Sequence, residues 1–280
     1  MSEKLQKVLA RVGFGSRREI ETWITQGRIK VNGVNATLGD RVTEHDKIFV
    51  DGQPVNITPQ QSIRVIAYHK PEGEVCTRSD PEGRPTVFEK LPKLRSQRWI
   101  AIGRLDINTS GLMLFTTHGE LAHHLMHPSF NIKREYAVRV MGQADQEMLR
   151  RLKSGVNLDD GPAHFDEIVD AGGSGVNHWY HVVLNEGRNR EVRRLWESQG
   201  MVVSRLMRIK FGPIALRKGL RQGQYEQLSK EDIKLLMDIV GMKIPAAPEQ
   251  KTKPKPKRVI WKDKGGREKV RGQRRKVKNS

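Results

Sequence analysis

Residues 101–120 read Ala101-Ile-Gly-Arg-Leu-Asp-Ile-Asn-Thr-Ser-Gly-Leu-Met-Leu-Phe-Thr-Thr-His-Gly-Glu120. Two short apolar runs, Trp99–Ile102 and Leu112–Phe115, are bounded by turn residues, which predicts two buried strands. Between them, Asp106-Ile-Asn-Thr-Ser-Gly111 favours a turn with positive φ. The pattern sets a carboxylate, Asp106, at the lip of a sheet, two residues beyond Arg104. Thr117-His-Gly-Glu120 has capping-box spacing and predicts a helix with Leu121, Leu125 and Met126 on one face. An aspartate at the start of a turn ordinarily serves local hydrogen bonding. The turn alone therefore assigns no chemistry.

Before this stretch, Leu5, Val8, Leu9 and Val12 recur at helical spacing. Ser16-Arg-Arg-Glu19 is a second capping box, opening a helix that buries Ile20, Trp23 and Ile24 and stops at Gly27. Asn32-Gly33 between Arg28–Val31 and Val34 is a strong hairpin signal. Lys47–Val50 reads as a strand, and the polar residues 51–62, with two prolines, read as a linker. Arg64–Tyr68 resumes as a strand, followed by a turn at Pro71 and Gly73. Residues 77–86 have no apolar period and read as a loop.

After it, His123 and His127 stand at i and i+4, a spacing that can ligate zinc. A zinc-protease helix would carry Glu directly after the first His, and His124 stands there instead, so no metal is expected. Lys133–Val140 alternates as a strand with Tyr136, Val138 and Val140 on one face. A tyrosine so placed is ordinarily part of the core. A helix over Ala144–Leu152 leads to a loop and a short strand, and His178–Leu184 is a further strand. The next helix buries Val192, Leu195 and Trp196 and ends at Gly200. Arginines crowd around it at 188, 190, 193, 194 and 205; simple phosphate contact accounts for Arg188, Arg190 and Arg194. Val202–Phe211 returns as a strand, and Ser229-Lys-Glu-Asp232 opens a last helix.

The 280 residues suffice for two domains. The 51 Lys+Arg against 32 Asp+Glu give a formal charge of +19 and a pI near 10.2, which argues for a polyanionic partner, nucleic acid before membrane. Residues 245–280 hold 14 of those cations and 3 acids, in a Pro-, Lys- and Arg-rich tail with no folding pattern, expected to be disordered. No apolar run approaches the roughly 18 residues of a spanning helix, and no signal peptide opens the chain. A single cysteine, Cys76, allows no internal disulfide. A cytoplasmic, monomeric protein is the expectation.

The string Gly103–Thr116, Gly-Arg-Leu-Asp-x-x-Thr-x-Gly-Leu-x-Leu-x-Thr, closely resembles the signature of the RNA pseudouridine synthases. His69-Lys-Pro-Glu-Gly73 resembles that family's Lys-Pro-x-Gly segment. Gly15-Ser-Arg-Arg-Glu-Ile-Glu21 with Gly27-Arg-Ile-Lys-Val-Asn-Gly33 resembles the S4 RNA-binding domain, over about residues 3–55. The resemblance implies an α+β fold: an S4-like domain (1–60), a mixed, largely antiparallel sheet with flanking helices (61–244), and the basic tail (245–280). It implies that Asp106 is the essential catalyst, that Arg193 pairs with it, and that Tyr136 and Leu206 sandwich the uracil. Arg104 would help fill the space that a flipped base leaves, and Arg17, Arg18, Arg28 and Lys30 would contact RNA.

The implied reaction breaks the bond from uracil N1 to the sugar, turns the base, and remakes the bond at C5. No redox step or hydrolysis occurs, so no cofactor is expected. An aspartate suits because it is ordinarily ionised at neutral pH, and an arginine suits as its partner because its fork holds a carboxylate and stays charged. Addition to the sugar C1′ and removal of the 2′ proton both use the same residues. The bacterial branch that joins an S4 domain to such a synthase modifies ribosomal RNA. A uridine in 23S rRNA, in the large-subunit precursor or assembling particle, is the expected target, with small-subunit rRNA or tRNA as the alternative.

Overall fold

The computed structural model describes residues 2–57, 62–94 and 97–243. The basic tail lies outside them. The chain opens with β1 (Glu3–Lys4), α1 (Leu5–Arg11) and α2 (Arg17–Thr25). Ser16 caps α2: its hydroxyl accepts from the Glu19 amide at 3.1 Å, and Glu19 accepts from the Ser16 amide at 2.7 Å. Gly27, at φ +70°, ends the helix in a left-handed conformation that costs glycine little. Next come β2 (Ile29–Val31), β3 (Val34–Asn35), β4 (Arg41–Val42), β5 (Ile48–Val50) and β6 (Gln53–Val55). The expected hairpin at Asn32-Gly33 forms, with both residues at positive φ.

Residues 51–62 are not all linker. Asp51-Gly52, again with two positive φ values, turns the chain so that Gln53–Val55 joins the small sheet in the order β3-β2-β5-β6. Two prolines obscured this strand; Pro54 takes a place at the sheet's edge, where no amide is needed for pairing. Leu5, Leu9, Ile20, Ile29 and Ile48 fill a separate core beneath these elements. Trp23, expected to be buried, is only partly so.

The second half contains β7 (Val65–Lys70), β8 (Ile100–Ile102), β9 (Ser110–Thr116), α3 (Gly119–Met126) and β10 (Arg134–Met141). It continues through α4 (Gln146–Ser154), β11 (Val156–Leu158), β12 (Gly161–Ala163), β13 (Glu167–Ser174), β14 (Asn177–Leu184) and α5 (Glu191–Glu197). Finally come β15 (Val203–Phe211), β16 (Ile214–Ala215), β17 (Tyr225–Gln227) and α6 (Lys230–Asp238). The main sheet runs β13-β14-β10-β15-β9-β7-β17, with β8 on β9 and β16 on β15. Among the described strands of this sheet, only the β15–β9 junction is parallel.

All seven residues of β9 are buried, because both faces of the sheet are covered. Alternate residues feed two cores. Met113 and Phe115 join Trp196 and Leu195 of α5 on one face, while Leu112 and Leu114 join Leu121 of α3 and Leu236 of α6 on the other. The capping of α3 differs from expectation. Thr117 is still tied to the sheet, donating its amide to the Arg64 carbonyl at 3.0 Å, so the cap falls on His118, whose Nδ1 accepts from the Leu121 amide at 3.1 Å. Burial holds the His118 imidazole below its ordinary pKa, which favours the neutral ring able to accept.

The parallel junction depends on Gly111. Its φ is +108°, and a Cβ there would stand 2.3 Å from the Arg208 carbonyl oxygen and 2.6 Å from its nitrogen. Backbone atoms cannot swing aside, so β9 and β15 approach closely only at glycine. Gly111→Ala should lower the melting temperature by at least about 5 °C. Gly119→Ala, whose added methyl meets only Ile100 Cδ1 at 3.6 Å, should shift it by no more than about 2 °C. Thermal unfolding followed by circular dichroism checks both, and equal shifts would contradict the steric argument.

Candidate active site

β8 and β9 pair antiparallel, so the intervening segment from Gly103 to Thr109 must reverse at the end of the sheet. Such a turn exposes carbonyl groups that need partners. Lys70, the last residue of β7, stands opposite Gly111 and is 0% exposed. Its ammonium donates to the carbonyl oxygens of Pro71 (2.9 Å), Asp106 (3.1 Å), Ile107 (3.4 Å) and Thr109 (2.9 Å). The Gly73 amide also reaches Ile107 O at 2.8 Å, and the Thr109 amide closes on Asp106 O at 3.1 Å. Burial pulls the Lys70 pKa below its usual value, while nearby acidic groups, Asp106 among them, act in the opposite direction.

Arg193 serves the same loop from the other side. It lies on α5 and is 6% exposed; Nη2 donates to Asn108 O at 2.8 Å and Nη1 to Val203 O at 3.1 Å. The expected pairing of Arg193 with the Asp106 carboxylate is not what the structure has: among the described residues no ion pair joins them. The guanidinium is occupied by backbone carbonyls, and its charge acts on Asp106 from beyond contact distance. Every carbonyl from Asp106 to Thr109 is thus held by a buried cation. The Asp106 side chain, half-buried, projects from this clamped turn.

A cleft of about 790 Å³ opens beside the turn, a volume suited to a nucleotide-sized ligand. Arg104, Asp106, Tyr136 and Leu206 all line it. Tyr136 on β10 pairs with Arg208 on β15, and Val138 pairs with Leu206, so ring and leucine share one sheet face. Tyr136 is 8% exposed: it belongs to the core and forms cleft wall at once. Arg104 is exposed at the rim.

Lys70, Arg208 and Glu191 were not legible as site residues from spacing alone. Lys70 closes an apolar strand, where a buried charge is rare unless partnered; that position, together with the Lys-Pro-x-Gly resemblance of residues 70–73, was the available signal.

Other arginines are less free than their spacing implies. Arg28 makes a bidentate pair with Asp51 (2.8 and 2.5 Å) and lies 4.8 Å over the Trp23 ring, so its fork is taken before any phosphate arrives. Arg194 holds both oxygens of Asp160 at 2.8 Å, and Arg188 contacts Asp160 and Glu186. Arg17, Arg18 and Lys30 are exposed and make no ion pair among the described residues. His124 stacks on Phe130, with centroids 5.0 Å apart.

A family profile described as RNA pseudouridylate synthase matches residues 64–198, and one for the S4 domain matches residues 3–48. Ribosomal large subunit pseudouridine synthase B of Pseudomonas aeruginosa is 58% identical over 260 residues, covering 92% of this chain and 67% of that protein. The protein of the same name from Haemophilus influenzae is 60% identical over 253 residues, with 89% and 70% covered. That from Escherichia coli K12 is 59% identical over 246 residues, with 86% and 84% covered. A crystal structure of a pseudouridylate synthase superposes with a TM-score of 0.59 at 23% identity, covering 83% of this chain and 99% of that one, and shows a shared fold.

The clamp leads to a local prediction. Lys70→Met removes the charge and leaves several buried carbonyls without donors, which should destabilise the protein by about 3 kcal/mol. Hydrogen exchange at the Gly73 and Thr109 amides should quicken, because both bond to loop carbonyls, while the Asn32 amide, bonded to Lys47 O in the first sheet, keeps its rate. Unchanged exchange at Gly73 and Thr109 would show that Lys70 does not hold the loop.

Proposed function

Since this chain belongs to the RNA pseudouridylate synthase family and carries an S4 domain ahead of the catalytic fold, we propose that it isomerises a specific uridine of 23S ribosomal RNA to pseudouridine. Its relatives of about 59% identity are named for the large ribosomal subunit, which supports that choice of RNA. Asp106 is the catalyst, acting on a base turned out of its stack. The observation that carries this reading is the convergence of Asp106, Tyr136 and Leu206 on one cleft, from a loop and two strands far apart in sequence.

The target nucleotide enters the cleft with its base against Tyr136 and Leu206, the stacking by which unpaired bases are usually held. Arg104, at the rim, occupies the space left in the RNA, offsetting part of the few kcal/mol that unstacking costs. The Asp106 carboxylate meets the sugar, the N1–C1′ bond breaks, the base turns, C5 bonds to C1′, and the C5 proton leaves. Nothing is oxidised or hydrolysed. Lys70 and Arg193 are positioning residues: they fix the backbone from which Asp106 projects, and a site loose by about 1 Å loses roughly a hundredfold in rate. Arg17, Arg18 and Lys30 track phosphates from the S4 domain, with Arg28 holding that surface together through Asp51. The substrate is the large-subunit precursor or an assembling particle, met by a monomeric enzyme.

Asp106→Asn preserves size and removes charge. Tritium release from large-subunit rRNA labelled with 5-³H-uridine should fall at least about a thousandfold, while the melting temperature and RNA affinity stay near wild type. A variant that still turns over at an appreciable fraction of the wild-type rate refutes the assignment, and chemical mapping of rRNA from a deletion strain names the uridine.

The tail, with its 14 cations, adds affinity and leaves the chemistry alone. If about four of them meet phosphates, removing residues 245–280 should flatten the plot of log affinity against log salt by roughly 3 units. The single-turnover rate at saturating RNA should not change. An unaltered salt slope would show that the tail does not touch RNA.

A further inference from the structure

Two buried polar groups in the cleft take no part in clamping the loop. Glu191 opens α5 and is 3% exposed. Its Oε2 accepts from the Arg188 amide at 3.0 Å, but Oε1 is buried with no hydrogen-bond partner. The nearest cation, Arg188 Nε, stands 3.6 Å from that oxygen, beyond hydrogen-bond reach. Arg208, on β15, is 2% exposed; Nε donates to Leu112 O at 2.8 Å, and Nη2 is buried without a partner. Arg134 is near both charges, yet its Nη1 is committed to the carbonyls of Ile132 and Asn185 at 2.9 and 2.7 Å. A buried acceptor and a buried donor left open in one cleft call for a ligand that supplies the complementary pair.

Uracil has that pair. Its N3–H is a donor flanked by two carbonyl acceptors, O2 and O4. Cytosine instead has a bare N3 acceptor beside an amino donor, which would set lone pair against lone pair at Glu191. Tyr136 and Arg208 are cross-strand neighbours on one sheet face, so a base lying on the tyrosine has its edge beside the guanidinium. Deepening the functional reading above, on which it rests, we propose that Glu191 Oε1 accepts from N3–H of the target uracil and Arg208 Nη2 donates to an adjoining carbonyl oxygen. The symmetry of the ring gives this arrangement a second use. Turning uracil by half a revolution about the line through N3 and C6 exchanges N1 with C5 and O2 with O4, while N3 stays in place. Glu191 therefore holds the pivot throughout, and Arg208 meets one carbonyl before the turn and the other after it. Both are specificity-determining residues for the isomerisation.

The test uses a synthetic stem-loop carrying the uridine identified by chemical mapping, 5-³H-labelled, and the same stem-loop with N3-methyluridine at that position. Wild-type enzyme should prefer uridine by at least about tenfold in kcat/KM, the effect of one hydrogen bond to a charged group. Glu191→Ala should lose about tenfold on uridine and reduce the preference to within about threefold. Glu191→Gln, which keeps an acceptor oxygen, should retain most of the preference. A full preference in Glu191→Ala would overturn the proposal, as would a wild-type enzyme that takes both stem-loops equally, a result that needs no variant to fold. Absence of tritium release from the uridine stem-loop with wild-type enzyme would instead strike the functional reading itself.

Discussion

The structure is organised around one buried ammonium. Lys70 sits at the end of a strand inside the sheet, with no solvent contact, and gathers four carbonyl oxygens, three of them from the turn that carries Asp106. A charge in that position is tolerable only when fully partnered, and its partners here are backbone groups that a reversing chain would otherwise leave open. The requirement is mutual: the turn satisfies the charge, and the charge fixes the turn. Arg193 completes the arrangement at Asn108 from a helix more than eighty residues later in the chain. The loop that carries Asp106 is thereby bonded at each carbonyl from 106 to 109, although it has no regular structure of its own.

The second constraint is the close parallel seam at Gly111. With no side chain there, β15 lies against the start of β9 immediately after the clamped loop. That seam carries Leu206 and Arg208 toward Asp106, and antiparallel pairing with β10 adds Tyr136 beside them. The cleft walls thus come from strands whose order in the sheet differs from their order in the chain. The same seam aligns Arg208, a residue of the cleft lining, so that one guanidinium nitrogen is bonded to β9 while another is buried without a partner.

Net charge and available charge differ in this protein. Arg28, Arg188 and Arg194 are occupied by carboxylates at short range, and Arg193 by carbonyls. Arg17, Arg18 and Lys30 on the first domain and Arg104 at the cleft rim are among the exposed cations that no carboxylate occupies. The basic side chains are thus divided between those that hold the fold together and those left for a polyanion, and contacts of the second kind position a nucleic acid.

By itself the sequence determined whatever depends on neighbours along the chain. Ser16 and Glu19 cap α2, Asn32-Gly33 makes its hairpin, the alternation in β10 puts Tyr136 inward, and the turn at Asp106 lies between two buried strands, each as the local pattern requires. The motif of residues 103–116 also placed the chain in its family, because a string of fixed residue types survives where geometry cannot be seen. Local pattern failed where a distant partner decided the outcome. Gln53–Val55 became a strand because β5 offered an edge, and the cap of α3 moved to His118 because Thr117 was claimed by Arg64. Arg28 and Arg194 read as free cations until folding brought Asp51 and Asp160 against them. Arg193, Lys70, Arg208 and Glu191 acquired their places only when residues up to 96 positions apart met, since the energy of a buried charge is set by the atoms that surround it, and those atoms are assembled by the tertiary fold.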